Sequence, residues 1–309
     1  MIGVFGANGF VGTGVCDEVQ TSGRGLARLA RIQLPSVAST DHVWTLIGTH
    51  QAEILDLNQE VLQQLADVEV VINAAGLAAP TETDYEPLWK TNVLLPAVVD
   101  LLCKEARVSH IVHVSSAAVQ GHMNPLDETQ TWVGQSPYAK SKIAAEQLLL
   151  HGAAIPTSIY RATSVVGPGR EIVEKLIGFY GGKVAPVFGD GSARLPLSAL
   201  PNAAAAIVAL ARAKRPGIFL QPWEGATQSS LATALASDST RLISLPAPTV
   251  LESVTNRVGE IGGPLTPFVR RAELLIFGQG QDAGAMETVG YEQRVDFADY
   301  IAELARALR

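Results

Sequence analysis

Cysteine is scarce in this chain: two residues in 309, Cys16 and Cys103, far apart and neither in a CxxC pair. That excludes a disulfide framework and a thiolate zinc site, and it makes a reducing, cytoplasmic compartment the expectation. No metal is expected. Positive charge is short as well. Lysine and arginine number 23 against 30 aspartates and glutamates, a formal net charge of −7, which argues against non-specific nucleic-acid binding. Long apolar runs are missing: the longest, Ala203 to Ala211, is far too short to span a bilayer. Met1-Ile2-Gly3-Val4-Phe5 has neither the basic region nor the cleavage pattern of a secretory signal, so no membrane association is expected. There is no internal repeat. What the chain does have is apolar material, 47% of its residues, ample for a buried core.

Along the chain, short apolar runs alternate with helical stretches. Strands are expected at Ile2 to Phe5, Leu26 to Arg31, Ala52 to Leu57, Val68 to Asn73, Ile111 to Ser115 and Thr157 to Arg161. Helices are expected over Val11 to Gln20, Pro96 to Ala106 and Ser136 to Leu150, with a loop and short helix over Pro35 to His50. This alternation predicts an α/β fold, a doubly wound parallel sheet of the Rossmann type. Residues 1–166, completed by about 200–222, are assigned to this sheet domain, which the glycine loop after its first strand makes a candidate dinucleotide-binding domain. Residues 167–199 and 223–309, where Pro, Gly and Ser are scattered, fall to a smaller substrate lobe.

Gly6-Ala7-Asn8-Gly9-Phe10-Val11-Gly12 stands between the first strand and the first helix. Glycines there allow a tight turn and close approach of a pyrophosphate, and the helix N-terminus supplies free N–H groups. Gly6, Asn8, Gly9, Phe10, Val11 and Gly12 are therefore candidate cofactor-binding residues; the bland alternative is an ordinary strand-to-helix turn. The second strand carries Arg28 and Arg31 and no acid nearby, which favours NADP over NAD, the arginines being otherwise solvated surface charges. Asp56-Leu57, ending the next expected strand, could place a carboxylate near the adenine amino group; alternatively, Asp56 is a helix cap.

Tyr138-Ala139-Lys140-Ser141-Lys142 places Tyr138 and Lys142 at i and i+4, on one helix face. A phenol is a poor acid or base near neutrality, with an unperturbed pKa of about 10. A neighbouring ammonium lowers that value, so Tyr138 could exchange a proton with a substrate hydroxyl or carbonyl while Lys142 also holds the nicotinamide ribose. Ser115-Ser116 ends the preceding strand at the sheet edge where open α/β folds bind ligands. A serine hydroxyl there can hydrogen-bond the reacting oxygen.

The segment Tyr138 to Glu146 resembles the active-site helix of extended short-chain dehydrogenases, the nucleotide-sugar epimerase and dehydratase family. Val114-Ser115-Ser116-Ala117-Ala118-Val119-Gln120-Gly121 resembles that family's serine strand, with Gln120 in place of a tyrosine. The resemblance implies that Ser116, Tyr138 and Lys142 are catalytic, with Ser115 a structural neighbour. It also implies that Ala74, Ala75 and Gly76 after Asn73, together with Asn92, lie on the cofactor side. Arg161 to Gly169 resembles the family's Arg-Pro…Gly-Pro segment, with Ala162 replacing proline. Arg194, after Gly-Asp-Gly-Ser-Ala, is then the counterpart of an arginine that binds a sugar-nucleotide diphosphate, or else a surface charge. Ala117-Ala118 stand where the 4,6-dehydratases carry an Asp-Glu pair, which removes elimination of water.

Other residues read more plainly. His110 and His113 are expected in the core, Cys103 buried, and the four tryptophans packing rather than stacking. Asn92 is either an organiser of the tyrosine's surroundings or a helix-kink residue. Three functions remain open: a nucleotide-sugar epimerase or 4-ketoreductase, a reductase or dehydrogenase of a non-nucleotide carbonyl compound, and a cofactor-sensing protein without turnover. The partners expected are a small-molecule substrate, foremost a sugar nucleotide, with a homodimer left open.

Overall fold

The computed structural model describes residues 1–80, 82–237, 239–246 and 273–308. Six parallel strands form the main sheet in the order β2-β1-β3-β4-β5-β9. They are β1 (Ile2–Phe5), β2 (Leu26–Arg28), β3 (Val70–Asn73), β4 (His110–Ser116), β5 (Thr157–Ala162) and β9 (Gly217–Leu220). β1, β3 and most of β4 and β5 are buried continuously, as expected of strands covered on both faces.

One face is covered by α1 (Phe10–Thr21) and α9 (Leu200–Ala213), whose residues share a core with Ile2, Val4, Ile72 and Val112. The alanines of α9 let it lie close between the sheet and α1: Ala203, Ala204, Ala205, Ala206, Ala209 and Ala211 are all buried. The other face is covered by α6 (Leu95–Glu105) and α7 (Pro137–Gly152), together with three short helices, α2 (Val43–Thr49), α3 (Gln51–Leu57) and α4 (Gln59–Leu65).

Those three helices overturn one expectation. Ala52 to Leu57 is helix α3, not a strand. The apolar residues around it are spaced for a helix: Val43, Ile47, Ile54, Val61 and Leu65 are buried at steps of four and seven. A strand at 52–57 would instead alternate. Asp56 is exposed and Leu57 is 47% exposed, so neither ends a strand beside an adenine site. Nor does Asp56 cap the next helix, because Asn58 holds the cap position there. The buried Asn58 side chain ties this run down, accepting from Gln33 N at 2.8 Å and donating to the Gln33 and Ile54 carbonyls.

A second core gathers α8 (Glu171–Tyr180), α10 (Gln228–Leu235) and α11 (Phe297–Leu308). Around it lie β6 (Ser164–Val166), paired with β8 (Leu197–Ala199), and β7 (Val184–Phe188), paired with β10 (Arg241–Leu245). Residues 247–272 of the expected 223–309 lobe lie outside the described residues. The segment at 278–282 returns to the loop after β4. Leu126 N donates to the Gly280 carbonyl and Asp282 N to the Leu126 carbonyl, each at 2.8 Å, and Gly280 N donates to Asn124 Oδ1 at 2.8 Å.

Candidate functional site

The chain order places β2 and β3 on opposite sides of β1, so the crevice outside the carboxyl ends of β1 and β3 is a topological switch point. The glycine loop fills its floor. Gly6 has φ +74°, and a Cβ there would meet the Ala75 backbone nitrogen at 2.7 Å, so the loop and the Ala74-Ala75 segment are in direct contact. A Cβ at Gly12 would collide with the Gly6 carbonyl. Gly9 is the N-cap of α1 and offers no capping side chain, which leaves the first-turn N–H groups of Phe10 and Val11 for an anion. Asn8 and Gly9 are exposed and Phe10 and Val11 half-buried. This cradle fits the pyrophosphate of a dinucleotide: a glycine-flanked backbone loop ending on a helix N-terminus with no capping side chain.

Arg28 ends β2 and donates from Nη1 to the Ala7 carbonyl at 3.5 Å, which brings its guanidinium to the side of the glycine loop. Arg31 lies three residues past that strand and is exposed. Ala74, Ala75 and Gly76 follow β3, and Asn73 Oδ1 accepts from Ala75 N at 3.2 Å. A Cβ on Gly76 would come to 3.0 Å from Asn92 Oδ1 and 3.4 Å from Lys142 Nζ, so this position joins the loop to α7. Asn92 is buried within a π-helical turn, Lys90–Leu94. It accepts from Leu77 N at 2.9 Å and donates to Leu77 O at 3.1 Å and to Ser141 Oγ at 3.0 Å. Such turns widen a helix by one residue and turn a side chain that an α-helix would aim elsewhere.

Helix α7 starts on Ser136, whose Oγ accepts from Ala139 N at 3.1 Å, with Pro137 as its first residue. Its buried side brings Tyr138 and Lys142 up against the end of β4. The Ser116 side chain lies close enough to the Tyr138 phenol to pull its pKa down, and its Oγ accepts from Ala118 N at 3.2 Å. Ser116, Tyr138 and Lys142 thus converge at the carboxyl edge of the sheet. Burial raises the Tyr138 pKa, against the Ser116 hydroxyl and the positive charge of Arg170, which pull it down. This departs from the sequence expectation of a phenol lowered by Lys142. The lysine instead donates to the Val114 carbonyl at 3.0 Å, and burial lowers its own pKa to about 8, with the Glu146 carboxylate acting the other way.

Several residues of the site carry no isolated sequence signal. Arg170 stacks 4.9 Å over the Phe10 ring, at the mouth of the glycine loop. Glu146 and Arg161 form a fully buried ion pair, Nη2 to Oε2 2.7 Å. Glu146 also accepts from Ser115 Oγ at 2.6 Å and Trp132 Nε1 at 2.7 Å, while Arg161 Nη1 donates to the carbonyls of Asp127 and Thr129. The two serines of β4 therefore part company, Ser115 to this pair and Ser116 to Tyr138. Gln120 and Asp127 bond reciprocally, Nε2 to Oδ1 and Asp127 N to Oε1, and so brace the loop that leaves Ser116.

Arg194 is exposed and stacks 4.5 Å over Trp223, which makes that tryptophan a platform rather than simple packing. Its carbonyl accepts from Gln279 N at 2.7 Å, and Gln279 Nε2 donates to the Gly121 carbonyl at 3.1 Å, linking Arg194 to the loop after Ser116. His110, His113 and Cys103 are buried. Burial holds the His110 pKa down to about 4, lowers that of His113 well below the usual imidazole value, and pushes the Cys103 thiol up. No helix among the described residues is long and apolar enough to cross a membrane, and no three His, Cys, Asp or Glu among them group as metal ligands.

The model of the NAD dependent epimerase/dehydratase family matches residues 2–220. A ketoreductase of Stigmatella aurantiaca, acting by its name on 4-hydroxy-2-methyl-3-oxo-4-farnesyl-3,4-dihydroquinoline-1-oxide, is 27% identical over 172 residues. The match takes in 53% of this chain and 50% of that protein, so the chain spans about half the length of this curated relative. Among solved structures, UDP-N-acetylglucosamine 4-epimerase from Bacillus cereus superposes with a TM-score of 0.67 at 17% identity, covering 100% of this chain and 99% of that one. The human epimerase family protein SDR39U1 with NADPH gives 0.62 at 17% identity, covering 99% and 96%. UDP-glucuronic acid 4-epimerase of Bacillus cereus in complex with NAD gives 0.65 at 17%, covering 100% and 97%. At these identities the structural likeness is one of fold.

Proposed function

Because the chain belongs to the NAD-dependent epimerase/dehydratase family, we propose that it is an NAD(P)-dependent oxidoreductase of a secondary alcohol or ketone, in the specific form of a nucleotide-sugar epimerase or 4-ketoreductase. The observation that carries this reading is the convergence of Ser116, Tyr138 and Lys142 at the open edge of a sheet whose glycine loop is built for a pyrophosphate. The dinucleotide, when bound, supplies or takes the hydride. Gly6, Gly9 and Gly12 let its diphosphate approach, and the N–H groups of Phe10 and Val11 hold it. Ala74, Ala75, Gly76 and Asn92 would lie on the cofactor side of the site, and Lys142 would hydrogen-bond the nicotinamide ribose. Ser116 orients the reacting oxygen. Tyr138, kept protonated by burial, donates its proton to a carbonyl oxygen as a ketone is reduced and takes it back when the alcohol is oxidised.

Arg28, beside the glycine loop, supports NADP over NAD, since a guanidinium there can pair with a 2′-phosphate. Dissociation constants for the two cofactors should favour NADP, and Arg28→Ala should erase the preference; a clear preference for NAD by the unmodified protein overturns the assignment. Residues 167–199 and 223–309 form the substrate lobe in this reading, with Arg194 gripping the diphosphate of a sugar nucleotide. Two buried free cysteines suit a reducing cytoplasm.

The stacking of Arg194 on Trp223 favours a second reading, reduction of a flat non-nucleotide ketone against that platform, and the ketoreductase relative supports it. Thermal shift with cofactor present separates the two. For the first reading, nucleotide diphosphates stabilise the protein and Arg194→Ala loses most of that shift. For the second, none does so while uncharged ketones are turned over.

A further inference from the structure

Helix α2, the helix Tyr85–Trp89 and one flank of α7 enclose a cavity of about 440 Å³, within the range of small-molecule sites. From α7 it is lined by Ala144, Gln147, Leu148 and His151. At 3.6 residues per turn these stand on the opposite side of the helix from Tyr138 and Lys142. The cavity is therefore separate from the cleft described above.

Three aromatic residues, Trp44, Tyr85 and Trp89, share its wall with one carboxylate, Asp41, and with no lysine or arginine. None of the three rings is engaged by another ring or by a cation. Among the described residues the ring pair is Phe179–Tyr180, and the guanidinium contacts are Arg170 on Phe10 and Arg194 on Trp223. The two indoles are also fixed in place. Trp89 is 3% exposed, and the Trp44 indole lies so close to Gly152 that a Cβ there would overlap Nε1. The charge of Asp41 reaches this wall, where it adds to burial in raising the Tyr85 pKa. Lys90, next to Trp89 in sequence, is paired with Glu86 at 3.4 Å and does not neutralise it.

A wall of two anchored indoles and the exposed Tyr85 ring, with a single carboxylate at its rim, suits an organic cation: the quadrupoles attract a weakly hydrated positive charge and the acid supplies the counter-charge. We propose that this cavity binds an alkylated ammonium group, its methyls against Trp44, Tyr85 and Trp89 and its charge facing Asp41.

The test is calorimetry and tryptophan fluorescence on the full chain at pH 8. The probes are choline and its neutral isostere 3,3-dimethylbutan-1-ol. Choline should bind, and the isostere should bind about tenfold more weakly or worse, as expected for a desolvated cation on aromatic faces. Asp41→Asn, a change of charge at an exposed side chain, should weaken choline several-fold. Trp44→Ala should abolish its binding, and Tyr138→Phe should leave it unchanged. Equal affinity for the isostere would make this a merely apolar cleft and overturn the proposal. So would failure of choline to bind, or choline binding that is lost in Tyr138→Phe or retained in full by Asp41→Asn.

Discussion

At the scale of single residues, the candidate chemistry depends on a phenol whose environment pulls in two directions. Burial favours the neutral form of Tyr138; the Ser116 hydroxyl and the Arg170 charge favour the anion, and burial prevails. Replacing Tyr138 by Phe keeps the ring in its packed place and removes the proton. The variant should keep its unfolding midpoint and cofactor affinity while turnover falls about 10²–10⁴-fold, the usual contribution of a general acid. Steady-state kinetics beside calorimetric cofactor titration check this, and near-normal turnover would remove Tyr138 from the mechanism. Lys142 invites a different measurement. Its pKa of about 8 follows from burial, so its charge is lost only above neutrality. Turnover that depends on the ammonium should decline as pH rises through 8, and a flat profile from pH 7 to 9 would separate Lys142 from the rate.

At the scale of elements, β4, β5 and α7 are joined by the Glu146–Arg161 pair, which no solvent reaches. A buried pair adds little when intact, but losing one partner strands the other charge. Arg161→Ala should lower stability by about 3–5 kcal/mol, read from urea unfolding, and should loosen the Ser116 strand through Ser115. A loss under 1 kcal/mol would mean that Glu146 finds another partner or a proton. This pair also illustrates what a sequence can disclose. The strands β1, β3, β4 and β5, the glycine loop and the Tyr138–Lys142 spacing were readable because each has a local signature: a buried apolar run, a strand–glycine–helix order, an i, i+4 step. Glu146 and Arg161 are 15 residues apart and meet only across α7 and β5, so no local pattern announces the contact. In region 43–65 the short helix expected before His50 is present but the strand expected at Ala52 to Leu57 is not, for another reason. Its three helices are seven residues each, too short for periodicity to outweigh the strand-like look of Ile54-Leu55 and Leu57. Arg170 and Trp223 likewise acquire their roles only from rings and charges brought in by folding.

At the scale of the whole molecule, Glu224 sits where the sheet domain meets the outer core. It accepts from Ala199 N at 3.0 Å, from Asn202 Nδ2 at 2.5 Å and from Gln221 Nε2 at 2.7 Å. Burial still outweighs these hydrogen bonds and raises its pKa to about 7. A carboxyl raised on folding binds more protons in the native state than in the unfolded chain, so its contribution to stability is full at acid pH and is lost as pH rises from the ordinary carboxylate range through 7. The urea midpoint should therefore fall between pH 5 and pH 8 by more in the unmodified protein than in Glu224→Gln, and equal slopes would count against the assignment. The contacts between the segment at 278–282 and the loop after Ser116 have a consequence in time. The glycine loop is synthesised before the helix that carries Tyr138, and both precede residues 278–282. The loop beside Ser116 nevertheless takes hydrogen bonds from residues more than 150 positions downstream. During synthesis the glycine loop and its sheet can thus form before the loop beside Ser116 has its partners, and the candidate site is complete only once residues 278–282 have emerged.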